Sequence, residues 1–215
     1  MRFPFIYADP AWTFETWSEE GKDHSPEQHY DCMSLEQIQR LPIIEIAAED
    51  SACGMWVVDP LLDKGIETLK RWGFDYCTVL FYYVKLGRAL KPHVGMGYWT
   101  RANPEICIFG TRGRPKRKGK DVQRLVLDLD HSERTLLAPR GQHSAKPIEA
   151  YSRIERLVEG PYLEMFARHA QPGWHQWGNE VGKTGGTPNL FHLPGYPARA
   201  ANDNTFFGGT NVGAH

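Results

Sequence analysis

The sequence of 215 residues has little net charge, few cysteines and no long apolar run. Its formal net charge of −1 excludes a protein-wide positive field that would attract nucleic acid, so any such attraction must be local. No apolar run approaches the length that crosses a bilayer, and no cleavable signal precedes the first predicted strand, so we expect a cytoplasmic protein without membrane contact. The four cysteines are far apart and form no Cys-x-x-Cys pair, which indicates free thiols: Cys32, Cys53, Cys77 and Cys107.

Two common ligand-binding patterns are also missing. Gly95-x-Gly97 begins like a dinucleotide fingerprint, but the third position is Thr100 and no amphipathic helix follows. His24 and His29 lie in a polar stretch where no cysteine or carboxylate stands at the spacing of a zinc site. We therefore expect neither a dinucleotide nor a metal ion.

The stretch from Phe3 to Trp12 has the pattern of a buried strand that ends in a carboxylate. Asp9 closes the apolar run, and Pro10 cannot continue a sheet ladder, so Asp9 is predicted at the carboxyl end of the strand. Ligands bind at that end in open α/β sheets. The Asp9 carboxylate and the Pro10 carbonyl can accept two hydrogens from one amino group, and Trp12 can stack on a flat heterocycle.

Further strand and helix patterns alternate along the chain, as in an α/β domain. Strands are predicted at residues 53–58, 76–85, 106–110, 122–128, 135–138, 162–168 and 173–180. Helices are predicted at residues 34–40, 61–72 and 146–158, the first opened by a capping box of Ser34 and Gln37. Asp59 is predicted to cap the second helix, with a role as a second active-site acid as the alternative.

The chain is predicted to form one domain over residues 1–181, followed by an irregular tail over residues 182–215. From Gly185 onward the sequence is rich in Gly, Pro and Asn and has no periodicity. We expect no helix, no strand and no chemistry in this tail.

Two central segments carry the features of a nucleic-acid surface. Between Lys91 and Glu105, two glycines, the aromatic residues Tyr98 and Trp99, and Arg101 suit a mobile loop that closes over a base and its phosphates. One of the two aromatics could equally be a core residue. After the strand at residues 106–110 comes a basic run, which we expect to lie beside this base-binding loop. Phosphate binding is favoured over a merely solvated surface for its six side chains: Arg112, Arg114, Lys116, Arg117, Lys118 and Lys120.

Later segments bring further polar groups to predicted strand and helix ends. Lys146-Pro147 begins an amphipathic helix, where an ammonium group and the helix N-terminus both favour an anion. The last two predicted strands end in polar residues, Arg168-His169 and Asn179-Glu180, so these also belong at the carboxyl edge of the sheet. From the pattern alone, Lys146 could also be a surface residue.

Four segments in this order resemble the MT-A-type adenine-N6 methyltransferases. They are Asp9-Pro10-Ala11-Trp12, the stretch from Gly95 to Glu105, His143-Ser144-Ala145-Lys146-Pro147, and the stretch from Leu163 to Glu180. The first matches the Asp-Pro-Pro-Trp signature of amino-methyltransferases, with Ala11 in place of the second proline. That change removes some stiffness but neither acceptor, so we expect activity to survive.

The resemblance implies roles for individual residues. Asp9, Pro10 and Trp12 would be catalytic, with Asp9 also at the cofactor and Trp12 stacked on the target base. Lys146 would hold the methionine carboxylate of S-adenosylmethionine. The other cofactor-binding residues would be Phe166, Ala167, Arg168, His169, Asn179 and Glu180. The substrate-binding residues would be Tyr98, Trp99, Arg101, Asn103, Arg114, Lys116, Arg117 and Lys118.

The resemblance also implies a fold and an activity. The fold would be a Rossmann-like methyltransferase sheet, circularly permuted so that the catalytic strand comes first and the cofactor strands last, with helices on both faces. The activity would be methylation of the adenine exocyclic amine in DNA, in a bacterial or phage-encoded protein. RNA adenosine, a cytosine amine and a non-catalytic nucleic-acid-binding subunit are the alternatives, and a homodimer or a heteromeric partner is compatible with each.

Overall fold

The structure is a computed structural model, which describes residues 1–12, 33–87, 89–95, 97, 99–129, 146–178, 181 and 189–196. The predicted strand at residues 135–138, most of the tail, and the site residues Tyr98, Asn179 and Glu180 lie outside the described residues.

Seven strands form one mixed, mostly parallel sheet. In chain order they are β1 (Phe3–Ala8), β2 (Ala47–Val57), β3 (Asp75–Leu86), β4 (Glu105–Arg112), β5 (Leu125–Leu129), β6 (Tyr162–Met165) and β7 (Trp174–Trp177). Their order across the sheet is β5-β3-β4-β2-β1-β6-β7. Only β4 is antiparallel to its neighbours among the described strands, because it pairs antiparallel with both β2 and β3. The predicted α/β class is therefore confirmed.

The described residues include four α-helices that flank the sheet: α1 (Leu35–Gln39), α2 (Ile43–Ile46), α3 (Leu62–Arg71) and α4 (Glu149–Leu157). The predicted capping box at α1 is confirmed, since the Ser34 hydroxyl accepts from the Gln37 N–H and the Gln37 side chain accepts from the Ser34 N–H. No helix in the described part of the chain is long and apolar enough to span a membrane.

Side chains of β1 pack on both faces of the sheet, as expected for a central strand with an unbroken apolar sequence. Ile6 and Ala8 contribute to the core beneath α1, α2 and α3. Phe5 and Tyr7 contribute to the core beneath α4. Asp9, which follows Ala8, continues this alternation on the α4 face.

Asp59 does not cap the second helix, contrary to the prediction. It begins a short 3-10 turn, Asp59–Leu61, and the residue that precedes α3 is Leu61, with no side-chain cap. Because this turn occupies residues 59–61, α3 begins at Leu62, one residue later than predicted. Asp59 is exposed, and burial of part of its carboxyl group raises its pKa.

Candidate active site at the carboxyl edge of the sheet

The centre of the site is the Asp9 carboxylate, which two cations approach from distant parts of the chain. Asp9 leaves the carboxyl end of β1, where its N–H donates to the Met165 carbonyl at 3.4 Å. Lys146, three residues before α4, places its Nζ 3.2 Å from Asp9 Oδ1. Arg168, just after β6, places a guanidinium nitrogen 3.7 Å from Asp9 Oδ2. The structure thus brings these three predicted site residues together.

A second carboxylate, Glu105, joins this cluster from the first residue of β4. Its Oε2 lies 2.9 Å from Lys146 Nζ, and its Oε1 lies 2.6 Å from Lys85 Nζ. Burial raises the pKa of Glu105, but the charges of Lys146 and Lys85 outweigh this and lower it to about 2. Burial likewise lowers the pKa of Lys146, but Asp9 and Glu105 outweigh it, so that this pKa is raised and Lys146 stays charged.

Five side chains therefore alternate in charge along the edge: Lys85, Glu105, Lys146, Asp9 and Arg168. Three cations and two carboxylates leave the row with one net positive charge, which suits an anionic group of a ligand. No group of three or more metal-ligating side chains occurs among the residues that the structure describes.

The Pro10 carbonyl and the Trp12 side chain are held in a tight turn after Asp9. The Trp12 N–H donates to the Pro10 carbonyl at 2.9 Å, which leaves one lone pair of that oxygen for another donor. The Trp12 indole is only 4% exposed, and its Nε1–H donates to the Trp56 carbonyl at 2.8 Å. In this position Trp12 is a core residue, and its predicted stacking on a base stays a prediction.

Beneath Lys146, a layer of buried aromatic residues forms the floor of the site. Lys146 Nζ lies 5.3 Å from the centre of the Trp56 ring, within cation–π range. The Trp56 indole N–H donates to the Tyr7 hydroxyl at 2.6 Å. From α4, the Tyr151 hydroxyl donates to Glu164 Oε1 at 2.8 Å. The floor is held in place because the Trp56 indole N–H and the hydroxyls of Tyr7 and Tyr151 each have a hydrogen-bond partner inside the protein.

The chain turns sharply after β6, at the predicted cofactor residues. Phe166 has a φ of 63°, a strained conformation for a bulky residue that often marks a functional site. The buried Ala167 donates its N–H to the Trp177 carbonyl. Gly178, directly after β7, lies so close to the Ala167 carbonyl oxygen that a Cβ at this position would be only 2.3 Å from it. The turn thus depends on glycine at position 178. His169 is exposed.

The segment between β3 and β4 reaches the same edge as Asp9. Trp99 is 100% exposed, so it is not the core aromatic of its pair, and Arg101 is also exposed. The Asn103 amide donates to the His93 carbonyl at 2.8 Å, and the Gly95 N–H donates to the Ala102 carbonyl, so Asn103 closes the base of the loop. A fully exposed indole beside the site is compatible with stacking on a base.

The basic segment does not lie beside this loop, contrary to the expectation from the sequence. Because β4 is antiparallel to β2, it carries the chain from Glu105 at the carboxyl edge to Arg112 at the amino edge, roughly 20 Å away. There the backbone N–H of Arg114 donates to the Asp50 carboxylate, and the backbone N–H of Lys118 donates to the Leu157 carbonyl. The Lys118 Nζ lies 3.2 Å from the Glu159 carboxylate. The exposed side chains Lys116 and Arg117 complete a surface away from Asp9.

Sequence patterns alone did not assign a role to two acidic residues of this edge. Glu105 is the last residue of the Asn-Pro-Glu sequence. Its position directly before a predicted strand, where β4 begins, was the sequence signal that could have identified it. Glu164 is the only charged residue in the four-residue strand β6, where it is 7% exposed. A carboxyl group inside an apolar strand is rarely buried without a partner, and this was the signal for Glu164.

Comparison with known proteins identifies the family. A type II methyltransferase, M.MunI from Mycoplasma sp, is 26% identical over 84% of this chain and 78% of its own length. The N(6)-adenosine-methyltransferase subunit METTL3 of Danio rerio is 27% identical over 84% of this chain, and the N(6)-adenine-specific methyltransferase METTL4 of Mus musculus is 29% identical over 83%. The chain spans only 28% and 37% of those two proteins. The MT-A70 family profile matches residues 3–180, so the chain belongs to the MT-A70 family of S-adenosylmethionine-dependent N6-adenine methyltransferases.

Proposed function

We propose that this protein transfers the methyl group of S-adenosylmethionine to the exocyclic amine of adenine in DNA, with Asp9 as the central catalytic residue. The observation that carries the proposal is the meeting of Asp9 with Lys146 and Arg168 at one sheet edge. The match to a type II methyltransferase over most of both chains favours DNA over RNA.

The described side chains fit the methionine end of S-adenosylmethionine. Lys146 and Arg168 offer positive charge to its carboxylate, and the carboxyl oxygen Glu164 Oε2 is buried without a hydrogen-bond partner in the described structure. Bound there, S-adenosylmethionine supplies an electrophilic methyl group on a sulfonium sulfur. We assign the rest of the cofactor site to Phe166, Ala167, His169, Asn179 and Glu180.

Asp9 and Pro10 would orient the target amine. The amine lone pair of adenine is delocalised into the ring, so the nitrogen is a poor nucleophile until its hydrogens are drawn out of the ring plane. The Asp9 carboxylate accepts one hydrogen and the remaining lone pair of the Pro10 carbonyl accepts the other. Both acceptors are held by backbone bonds of the β1 tip, so they stabilise the developing positive charge without rearrangement. The cofactor would supply the methyl group and leave as a neutral thioether, and the methylated amine would lose one proton to water.

The loop between β3 and β4 would hold the base outside a duplex. A base inside a helix cannot reach Asp9, so it must be unstacked, and aromatic side chains commonly take over its stacking. The exposed Trp99 is the described side chain best placed for this, together with Tyr98, Arg101 and Asn103. Trp12 would act chiefly by fixing the turn that carries Pro10.

We further infer a circularly permuted sheet, with the catalytic strand β1 first and the cofactor strands β6 and β7 last. The strand order supports this inference, because β1 lies between β2 and β6 although β6 comes late in the chain. The parallel pairs β1–β6 and β6–β7 agree with it, because the carboxyl end of the first strand lies beside those of the last two strands. Residues 1–181 would be the methyltransferase domain and residues 182–215 a tail.

The test is incubation with isotopically labelled S-adenosylmethionine and defined oligonucleotides, followed by nucleoside mass spectrometry. The oligonucleotides are single- and double-stranded DNA and RNA of one sequence. We expect labelled N6-methyladenine from DNA at a higher rate than from RNA. Label in RNA adenosine or in cytosine would reassign the substrate, and binding of nucleic acid with no label in any oligonucleotide would indicate a non-catalytic subunit.

A further inference from the structure

Lys85 is a cation of the site edge that the proposed methyl transfer does not use. Its side chain, near the end of β3, is only 20% exposed, and its Nζ lies 2.6 Å from Glu105 Oε1. The same ammonium group lies 5.5 Å from the centre of the Tyr83 ring. Tyr83 belongs to the core beneath α4 and pairs with Glu105 across β3 and β4. Lys85 follows Tyr83 by two residues, so it lies on the face of the sheet that carries Asp9.

The main chain of Lys85 also fixes the base of the loop between β3 and β4. Its carbonyl accepts the His93 N–H at 2.8 Å, and the His93 carbonyl accepts the Asn103 amide at 2.8 Å. Only Pro104 separates Asn103 from Glu105. The carbonyl of Lys85 is thus connected to Glu105 through the loop, and its ammonium group contacts Glu105 directly. The position of Glu105 is therefore defined from two sides by one residue.

Glu105 in turn contributes to the position of Lys146. Its Oε2 lies 2.9 Å from Lys146 Nζ, closer than Asp9 Oδ1 at 3.2 Å. Lys146 is shared between two carboxylates, so its position depends on how firmly each of them is held. The backbone N–H of Asp9 is bonded to the chain after β6, whereas the Glu105 side chain is held by Lys85. A Lys146 drawn fully onto Asp9 would occupy lone pairs that the target amine needs.

We propose that Lys85 is a positioning residue for methyl transfer, which holds Glu105 so that Glu105 keeps Lys146 from closing fully onto Asp9. This inference rests on the proposed function, in which Asp9 accepts a hydrogen of the adenine amine. Lys85 touches neither the substrate nor the reacting atoms and acts through two other side chains. Its effect is therefore expected on the rate of the chemical step rather than on DNA binding.

The charge of Lys85 supports the same assignment. Burial raises the pKa of Glu105, and the charges of Lys146 and Lys85 outweigh it and lower this pKa to about 2. A neutral side chain at position 85 would leave Glu105 Oε1 without its hydrogen bond and its nearest charge. Glu105 would then be free to turn, and Lys146 would move toward Asp9, its other partner. Small displacements of this kind in an active site cost catalytic rate.

The test measures kcat and the KM for DNA at saturating S-adenosylmethionine. Lys85→Met removes the charge at nearly constant length and should lower kcat about tenfold. Its KM for DNA should change by less than about twofold, because the loop bonds use the carbonyl of residue 85 and not its side chain. Lys85→Arg keeps a cation and should retain at least about half of kcat. Lys70→Met, which removes an exposed lysine from α3, is the matched control and should match wild type.

A double-mutant cycle with Glu105→Gln tests whether Lys85 acts through Glu105. Lys85→Met should cost about tenfold in kcat in the wild type but less than about twofold in the Glu105→Gln background. The full loss in that background overturns the assignment. Should Lys85→Met alone not fold, the double variant, which leaves no Glu105 carboxylate unpaired, is compared with Glu105→Gln. Equal kcat supports the path through Glu105, and a kcat about tenfold lower overturns it.

The outcomes separate this inference from the proposed function. If the wild type methylates no adenine, the proposed function fails. If the wild type methylates DNA and Lys85→Met has the kcat of Lys70→Met, the assignment of Lys85 alone is overturned. An equal loss of kcat in Lys85→Met and Lys85→Arg also overturns it, because the shape of the lysine side chain would then matter rather than its charge beside Glu105.

Discussion

The ammonium nitrogen of Lys146 lies 3.2 Å from Oδ1 of Asp9, although the two residues come from opposite parts of the chain. Their side chains are only 13% and 15% exposed. A charge pair so far from water persists only when both partners are held in place, here by the tip of β1 and the start of α4. The pair joins the residue expected to orient the substrate to the residue expected to bind the cofactor.

Replacing Lys146 with Met is expected to destabilise the protein by about 3 kcal/mol, because it leaves the partly buried carboxylates of Asp9 and Glu105 without this cation. The matched control is Lys118→Met, whose partner Glu159 is 73% exposed, so the cost should stay below about 1 kcal/mol. Urea unfolding followed by circular dichroism measures both values. Equal losses of stability in the two variants would show that Lys146 contributes no more than an exposed ion pair does.

The two tryptophans near the site should separate into different roles. Trp12→Phe removes the indole N–H that satisfies the Trp56 carbonyl and should cost about 1–3 kcal/mol of stability. Trp99→Ala changes a fully exposed side chain and should alter stability by less than about 0.5 kcal/mol. If Trp99 stacks on the base, Trp99→Ala should instead weaken DNA binding by about 1–3 kcal/mol, as measured by fluorescence anisotropy. Unchanged DNA affinity would remove Trp99 from the substrate site.

The free energy of unfolding should fall as the pH rises from 5 to 8, because Glu164 loses its proton. Its pKa is about 7 in the folded protein and 4.5 when unperturbed, so the folded state holds this proton more tightly than the unfolded state. The resulting stabilisation is complete below pH 4.5 and is lost as the pH rises through 7, a change on the order of 3 kcal/mol. Glu164→Gln should lack this loss. The difference between the two urea-unfolding profiles measures it, since other titrating groups cancel, and parallel profiles would contradict the buried proton.

The basic surface at the amino edge is expected to bind phosphates at a distance from the site. Lys116→Gln combined with Arg117→Gln should lower DNA affinity and reduce the slope of log K against log salt by up to about 2. Arg40→Gln combined with Lys70→Gln removes the same charge from exposed positions in and beside α1 and α3 and should leave the slope unchanged. Equal slopes in both double variants would mean that residues 116–117 form only a solvated surface.

Local sequence patterns were sufficient to predict the tip of β1 that carries Asp9 and the order of the elements along the chain. The apolar run before Asp9 and the helix start after Lys146 each have a local cause, so β1 and α4 could be predicted. The partner of Lys146 in β4 could not, because Glu105 reaches it only when the strands are assembled. The position of the basic segment was wrong for the same reason, since it depends on β4 running antiparallel to β2.

The sequence patterns also could not predict which individual side chains are buried. Trp12 follows the signature carboxylate, and nothing local distinguishes an aromatic that stacks on a ligand from one that turns back into the core. The hydrogen bond from its indole to the Trp56 carbonyl decides this in the structure. Glu164 was hidden in an apolar strand, and its unpaired oxygen becomes visible only when Tyr151 and Tyr7 are placed beside it.

The measurement that tests the central claim most directly is N6-methyladenine formed in DNA by the Asp9→Ala variant, quantified by nucleoside mass spectrometry. The control is Asp59→Ala, which removes the carboxylate of the other Asp-Pro sequence, at the end of the neighbouring strand β2. The expected result is a loss of at least about 100-fold for Asp9→Ala, with S-adenosylhomocysteine still bound, and near wild-type rates for Asp59→Ala. Methylation by Asp9→Ala at the wild-type rate would contradict the account.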